Sequence, residues 1–392
     1  MAVALLCARE SAAQESFIVP STRVFVAGPV SLYPQIAVHD VGTDSNVYLD
    51  STSPRSDMTS TMTPRLYAVV PMGNTRFVGT ATGDLVYYQT YSDQRSLTTL
   101  LEGRYELTSP GFRPFAEIGF ASRGDRMGFE IDQRARHTQS TMMAGADIDV
   151  TPLTALTAWV GRSATKYDED EEYLTIMLAD QLNHSRETAA AGARFSVTPL
   201  TMVLIAAEFE RDRFERAPLR DADSFRIAPA VALDSGGVIT GNAKGGFRSF
   251  TPLNPDVAPY RGFVGNARLH YAVPDIVRLD LEAERDLSYS YDSIQPYYMV
   301  SGARLTGAQR LTGPFELIGI VERREVRNQR LGGQSFDGRR EVTTSYGGGF
   351  AILMNKQMRF SFTYEQTSRV STEPVGRNYD RTRLLGSFTY GI

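Results

Sequence analysis

A chain of 392 residues is long enough for two or three soluble domains or for one large barrel, so length alone decides nothing. With 42% apolar, 10% aromatic and 22% charged residues, and no uncharged apolar run of about eighteen residues, the chain is not a bundle of transmembrane helices. The formal net charge of −4 excludes a strongly basic nucleic-acid binder, and no nucleic-acid partner is expected.

The opening MAVALLCARESAAQ reads as the end of a secretory signal: Ala2 to Ala8 is apolar, and Ser11 and Ala13 are small residues before a cleavage site, though a basic start is missing. Cys7 is the only cysteine, so neither a disulfide nor a thiolate metal site is open to the mature fold. Lys166, Lys244 and Lys356 are the only lysines, which leaves positive charge almost wholly to arginine. Genomic composition alone can produce that bias, and arginine also suits fixed charge in a pore wall. We expect a leader at 1–14, a periplasmic segment at 15–33 and one β-barrel at 34–392.

Strand signals begin near Gln35. Segments with side chains alternating between apolar and polar follow one another, joined by turns rich in Pro, Gly, Asn and Asp. GRYELTSPGFRPFAEIGF starts at Gly103, GADIDVTPLTALTAWVGR at Gly145 and GARFSVTPLTMVLIAAEF at Gly192, so the turn VTPLT occurs at both Val150 and Val197. GNARLHYAVPDIVRLDLEAER from Gly265, GARLTGAQRLTGPFELIGIVER from Gly302 and GGFAILMNKQMRFSFTYEQ from Gly348 continue the series. The repeated unit is a hairpin. In the clearest strand, Val277, Leu279, Leu281 and Ala283 point one way and Arg278, Asp280, Glu282 and Glu284 the other. Longer polar links fall between the hairpins, as at Thr165 to Asn183, Arg211 to Asp223, Asn328 to Arg340 and Thr367 to Tyr379.

About eighteen strands with alternating short and long links predict an all-β fold, an antiparallel transmembrane β-barrel with short periplasmic turns and longer extracellular loops. A β-sandwich alternates too, but does not require that regular rhythm of links. A β-propeller repeats at similar length, but its blades need four strands where two are counted. The last strand, with Leu384, Gly386, Phe388, Tyr390 and Ile392 on one face, suits a barrel terminus, although it ends in Tyr-Gly-Ile where Phe or Trp is usual.

The stretch from Val41 to Leu107 resembles the start of the outer-membrane β-barrel porin family, type 2, which includes exopolysaccharide-operon outer-membrane proteins. The likeness rests on Asp44-Ser45-Asn46-Val47-Tyr48, a polar loop, and the tyrosine-rich strand Leu85 to Tyr91. It implies an outer-membrane channel of a Gram-negative bacterium, with polysaccharide export as the expected role and a general diffusion porin or structural barrel as the alternative. Expected partners are outer-membrane lipid, the barrel-assembly machinery, polysaccharide and a periplasmic export protein.

A barrel of this width leaves an aqueous lumen, and its inward charges set the field. The candidate lining is Glu102, Arg104, Asp147, Arg194, Glu208, Arg268, Arg278, Asp280, Glu282, Glu284, Arg304, Glu316, Glu322, Arg324, Arg359 and Glu365. Both signs occur, so no strong ion preference is expected. Aromatics including Tyr105, Phe120, Phe195, Phe209, Tyr271, Phe360, Tyr364, Phe388 and Tyr390 are expected as lipid-facing girdles. No Gly-x-Ser-x-Gly elbow, P-loop or paired-histidine metal motif is present, so no catalytic residue, cofactor or metal is assigned. His270 with nearby serines is the best candidate for a hydrolase. The run Asp168 to Glu172 lacks calcium-loop spacing and reads as a solvated outer loop.

Overall fold

The computed structural model describes residues 25–126, 129–234, 237–333, 336–355, 358–372 and 377–390. The expected leader, Cys7, Lys356 and Ile392 lie outside them. Eighteen long strands make the wall. The first six are β1 (Val30–Asp44), β2 (Asp57–Met72), β3 (Thr75–Tyr88), β4 (Ser96–Leu107), β5 (Phe112–Asp125) and β6 (Ala135–Thr151). There follow β7 (Thr154–Tyr167), β8 (His184–Thr198), β9 (Thr201–Phe214), β10 (Ala222–Leu233), β11 (Ile239–Pro252) and β12 (Tyr260–Val273). The last are β13 (Val277–Tyr289), β14 (Tyr297–Arg310), β15 (Phe315–Gln329), β16 (Arg340–Asn355), β17 (Met358–Ser371) and β18 (Tyr379–Tyr390).

Each strand pairs antiparallel with the next, and β18 pairs back onto β1, for example Phe388 with Val38, so the sheet closes and has no free edge. Closure is what a sheet in lipid requires, because every backbone donor and acceptor must find a partner within the protein. Among the described residues no helix is long and apolar enough to cross a membrane. β1 starts at Val30, inside the segment expected to precede the barrel, and Phe25–Ala27 folds back along it with Phe25 opposite Leu32.

Links of two to five residues alternate with links of seven to sixteen around the whole ring. The repeated VTPLT has a local explanation. In both copies the tip is Pro-Leu, the flanking threonines pair across the turn, and the register shifts just before it. Leu153 N donates to Thr151 Oγ1 and Leu200 N to Thr198 Oγ1, both at 3.2 Å, so one sequence builds the same hydroxyl-capped turn twice. Thr151→Val and Thr198→Val together should lower the urea midpoint of the refolded barrel by an amount equivalent to about 1–2 kcal/mol, the worth of two modest hydrogen bonds. An unchanged midpoint would mean that proline alone sets the turn.

The alternation separates two environments. Leu156, Val160, Ile205, Phe225, Phe247, Leu317 and Phe350 stand exposed on the outer face, as a lipid solvent demands. The expected aromatics Tyr105, Phe120, Phe195, Phe209, Phe360, Tyr364 and Tyr390 stand there too, each at least a third exposed. Phe209 is paired with Ala189, six positions along β8 from Phe195, so on tilted strands the two aromatic levels lie roughly 15 Å apart. Inside, one wall patch is apolar, with Trp159 buried against Ala190, Leu204, Ala206 and Ala230. Gly145 lies opposite Trp159, and a Cβ there would stand 2.6 Å from the Phe115 ring, so glycine leaves the room these rings occupy.

Candidate functional site: the barrel interior and its lid

Charge on the inner face meets charge of the opposite sign, because a guanidinium held against a low-dielectric wall is tolerated only with a hydrogen-bonded carboxylate. At the periplasmic end Arg104 pairs with Glu106 at 2.8 Å and with Glu117, Arg194 reaches Asp147 at 3.0 Å, and Arg113 reaches Asp149 at 2.6 Å. All of these groups except Glu117 line a vestibule of about 320 Å³ beside the Pro152-Leu153 turn. Glu102 stands on the same face of β4, opposite Thr80.

Higher on β9–β13, Lys244 pairs with Glu208. Arg248 donates to Glu210 at 3.0 Å and to Asp286 at 2.7 Å, Arg226 to Asp286 at 3.0 Å, and Arg186 to Asp212 at 2.7 Å. On the neighbouring strands from β14 to β18, Arg304 meets Glu322 at 2.7 Å and Glu365 at 3.6 Å, and Arg383 meets Glu365 at 3.0 Å. Arg324 bridges Glu322 at 2.6 Å and Glu284 at 3.2 Å. Arg359 holds Glu316 at 3.0 Å, Arg278 lies between Glu316 and Asp280 at 3.9 and 3.8 Å, and Arg268 faces Glu282 at 3.5 Å. His270 Nδ1 bonds Asp280 at 2.5 Å, its only hydrogen-bond partner among the described residues.

The expected charges other than Glu102, which is placed by its position on β4, therefore come together in ion pairs or hydrogen-bonded pairs. Sequence alone did not bring out Glu106, Asp149, Glu210 and Asp286, each two positions beyond a candidate, nor Asp212, four beyond Glu208. Continuing the period of two would have found them.

The outer mouth carries a second polar assembly, built by the long links. Residue Glu130, between β5 and β6, is 2% exposed and accepts from Asn328 Nδ2 on β15 and from Arg339 just before β16. In a ring of eighteen strands β5 and β15 stand on opposite sides, so this link crosses the mouth. Asp132 beside it takes both terminal nitrogens of Arg369, at 2.7 and 2.6 Å. Arg377 donates to Glu341 at 3.3 Å and to the Tyr173 hydroxyl at 3.1 Å. Beneath these charges Ile131, Tyr167, Tyr173, Leu178, Leu182 and Tyr291, drawn from three links and the strand ends, form a common apolar core. Phe129 lies under the guanidinium of Arg324, 4.1 Å from ring centre to carbon, which ties this lid to the wall below.

Two further arginines staple links together through neutral acceptors. Arg220 Nε donates to Ser290 O at 3.1 Å and Nη1 to Gln181 Oε1 at 2.6 Å, while Arg126 donates to Val47 O and Asp132 O. Burial without a bonded carboxylate pushes each of them down to about 10. Burial likewise pushes the Glu130 carboxyl above its ordinary range, against the pull of Arg339. Arg377 is also desolvated, but Glu341 outweighs burial and holds it above the usual arginine value.

Arg136 lies among the carboxylates of the acidic run, 3.5 Å from Asp168, 2.7 Å from Asp170 and 2.8 Å from Glu171.

Residues 26–389 match the family model described as "Putative beta-barrel porin 2". The chain belongs to this family. Among solved structures it is similar to the outer-membrane protein OpdK of Pseudomonas aeruginosa, at 12% identity and a TM-score of 0.51, over 91% of this chain and 98% of that one. It is also similar to OpdO of the same organism, at 9% identity and a TM-score of 0.49, over 91% and 96%. At such identities the likeness to OpdK speaks for the fold alone. No curated protein sequence matches the chain. Family and fold place it in the lipid of a Gram-negative outer membrane as a porin-like channel.

Proposed function

We propose that this barrel is a passive, non-enzymatic channel for small polar solutes, lined by the paired inner charges from Glu102 to Glu365 and narrowed at its outer mouth by the folded links. The observation that carries this reading is the lid: Glu130, Arg339, Glu341 and Arg377 lock links from opposite sides over the opening, which suits small solutes and opposes a polymer. Because wall charges of both signs are mutually paired, the field along the axis is weak. Single channels of the refolded protein in a planar bilayer should conduct steadily, with a reversal potential close to zero in a potassium chloride gradient. Absence of conductance from a folded, heat-modifiable barrel would sink the channel reading.

Polysaccharide export is the second reading. It is supported by the likeness of Asp44 to Leu107 and by an aromatic platform on the outer links, where the Tyr48 and Tyr91 rings meet edge-on at 5.2 Å with Arg55 over Tyr48. It adds a periplasmic export partner to the assembly machinery that either reading needs. It also demands that acidic or neutral polysaccharide block the conductance, which the small-solute reading does not. A hydrolase would have to work through the His270–Asp280 pair, and loss of lipid hydrolysis in His270→Ala is its test.

A further inference from the structure

Inside the barrel, arginine is matched by carboxylate. Outside, on β12, β13 and β15, it is not. Arg261, Arg285 and Arg323 are exposed on the lipid-facing side, in the upper half of their strands, where the long links emerge. Arg261 and Arg323 make no hydrogen bond or ion pair among the described residues. Arg285 donates only to neutral oxygens, Phe263 O at 3.2 Å and Ser301 Oγ at 2.7 Å. The nearby outward carboxylate, Glu325, is already engaged by Arg327 and Arg340.

Height explains what these cations meet. Arg285 lies eight positions above the Val277 end of β13, which on a tilted strand is roughly 21 Å from the periplasmic rim, close to the full height of a barrel's apolar band. A guanidinium there sits among the headgroups of the outer leaflet. Arg323 is paired with Ala303, and Ala303 with Ala283, so Arg285 and Arg323 stand two strands and two positions apart, roughly 12 Å by strand spacing and rise.

Below Arg285 the outer wall is hollowed. A groove of about 500 Å³ runs over Gly245, Gly265, Ala267 and Ala283, between Pro229 and Phe263, and Arg285 stands at its upper end. Neighbouring outward positions carry Phe247, Leu281 and Leu305, so the hollow is local to this face.

An apolar groove, open to the bilayer and capped by cations that lack a protein anion, complements a lipid with acyl chains and more than one phosphate. We propose that the outer face of β12–β15 binds a lipopolysaccharide molecule, with one acyl chain of its lipid A in the groove and its phosphates on Arg285, Arg261 and Arg323. Arginine suits this role, because its planar fork takes phosphate oxygens in pairs. The assignment follows from outer-membrane residence and does not depend on what the channel carries.

The test is native mass spectrometry of the full chain, refolded in detergent and titrated separately with bisphosphorylated lipid A, its dephosphorylated form and phosphatidylglycerol. Bisphosphorylated lipid A should be retained one to one. Its apparent affinity should fall at least tenfold in R261Q/R285Q/R323Q, be largely kept in the corresponding triple lysine variant, and fall in Ala283→Leu, which fills the groove. Heat-modifiable migration checks that each variant is folded. Equal retention by the glutamine variant, or retention of phosphatidylglycerol as strong as that of lipid A, would overturn the proposal.

Discussion

Glu130→Ala is expected to raise single-channel conductance and to make the outer links sensitive to external protease, while the barrel itself stays folded. Glu130 is almost wholly buried, and its carboxylate accepts from Asn328 and Arg339 across the mouth. Removing it leaves Arg339 buried with Glu341, which Arg377 and Arg369 already share. Breaking a buried pair by deleting one partner costs about 3–5 kcal/mol. That cost falls on the lid, because the strands below are closed by their own ladder. Since each 1.4 kcal/mol is tenfold, about 3 kcal/mol shifts a closed-to-open lid equilibrium by roughly a hundredfold. Glu130→Gln keeps both acceptor contacts in shape and should fall between wild type and alanine. Unchanged conductance in Glu130→Ala, together with protease-resistant links, would show that the apolar core of Ile131, Leu178 and Tyr291 holds the lid without the ion pairs.

The barrel was legible because its causes are local. A period of two needs only neighbouring residues, and VTPLT encodes its turn within five, so strand number and closure could be read directly. The start of β1 was misplaced because Ser31 to Pro34 carries no clean alternation, and its pairing with β2, as in Leu32 with Ala68, is what makes it a strand. The lid was not legible at all. Glu130 and Asn328 lie 198 residues apart, and nothing near either marks the other as its partner. At Asp168 to Glu171 the expected outer link holds, but its arginine partner, Arg136 on β6, is equally unmarked in the run itself. Non-local electrostatics is therefore where reading the chain stopped and geometry was needed.

The wall offers the sharper stability test. Arg248→Met is expected to destabilise the barrel by about 3–5 kcal/mol, measured as a lowered urea midpoint of the refolded protein. Arg248 is 2% exposed and bonds Glu210, Asp286 and Ser224 at 3.0, 2.7 and 3.1 Å. Without it, two carboxylates share one guanidinium, that of Arg226, which is 3.0 Å from Asp286 and 3.9 Å from Glu210. The double variant Arg248→Met with Glu210→Gln restores the balance of charge and should recover a large part of the loss, because the remaining pair of Arg226 and Asp286 is intact. The two variants also separate stability from conduction. Arg248→Met alone adds one negative charge to the interior, so its reversal potential in a potassium chloride gradient should move toward that of potassium, and the double variant should move it back. If both variants lose the same stability, the guanidinium lying over the Phe250 ring matters more than its ion pair with Glu210. If the reversal potential does not move, the solute path does not pass this cluster.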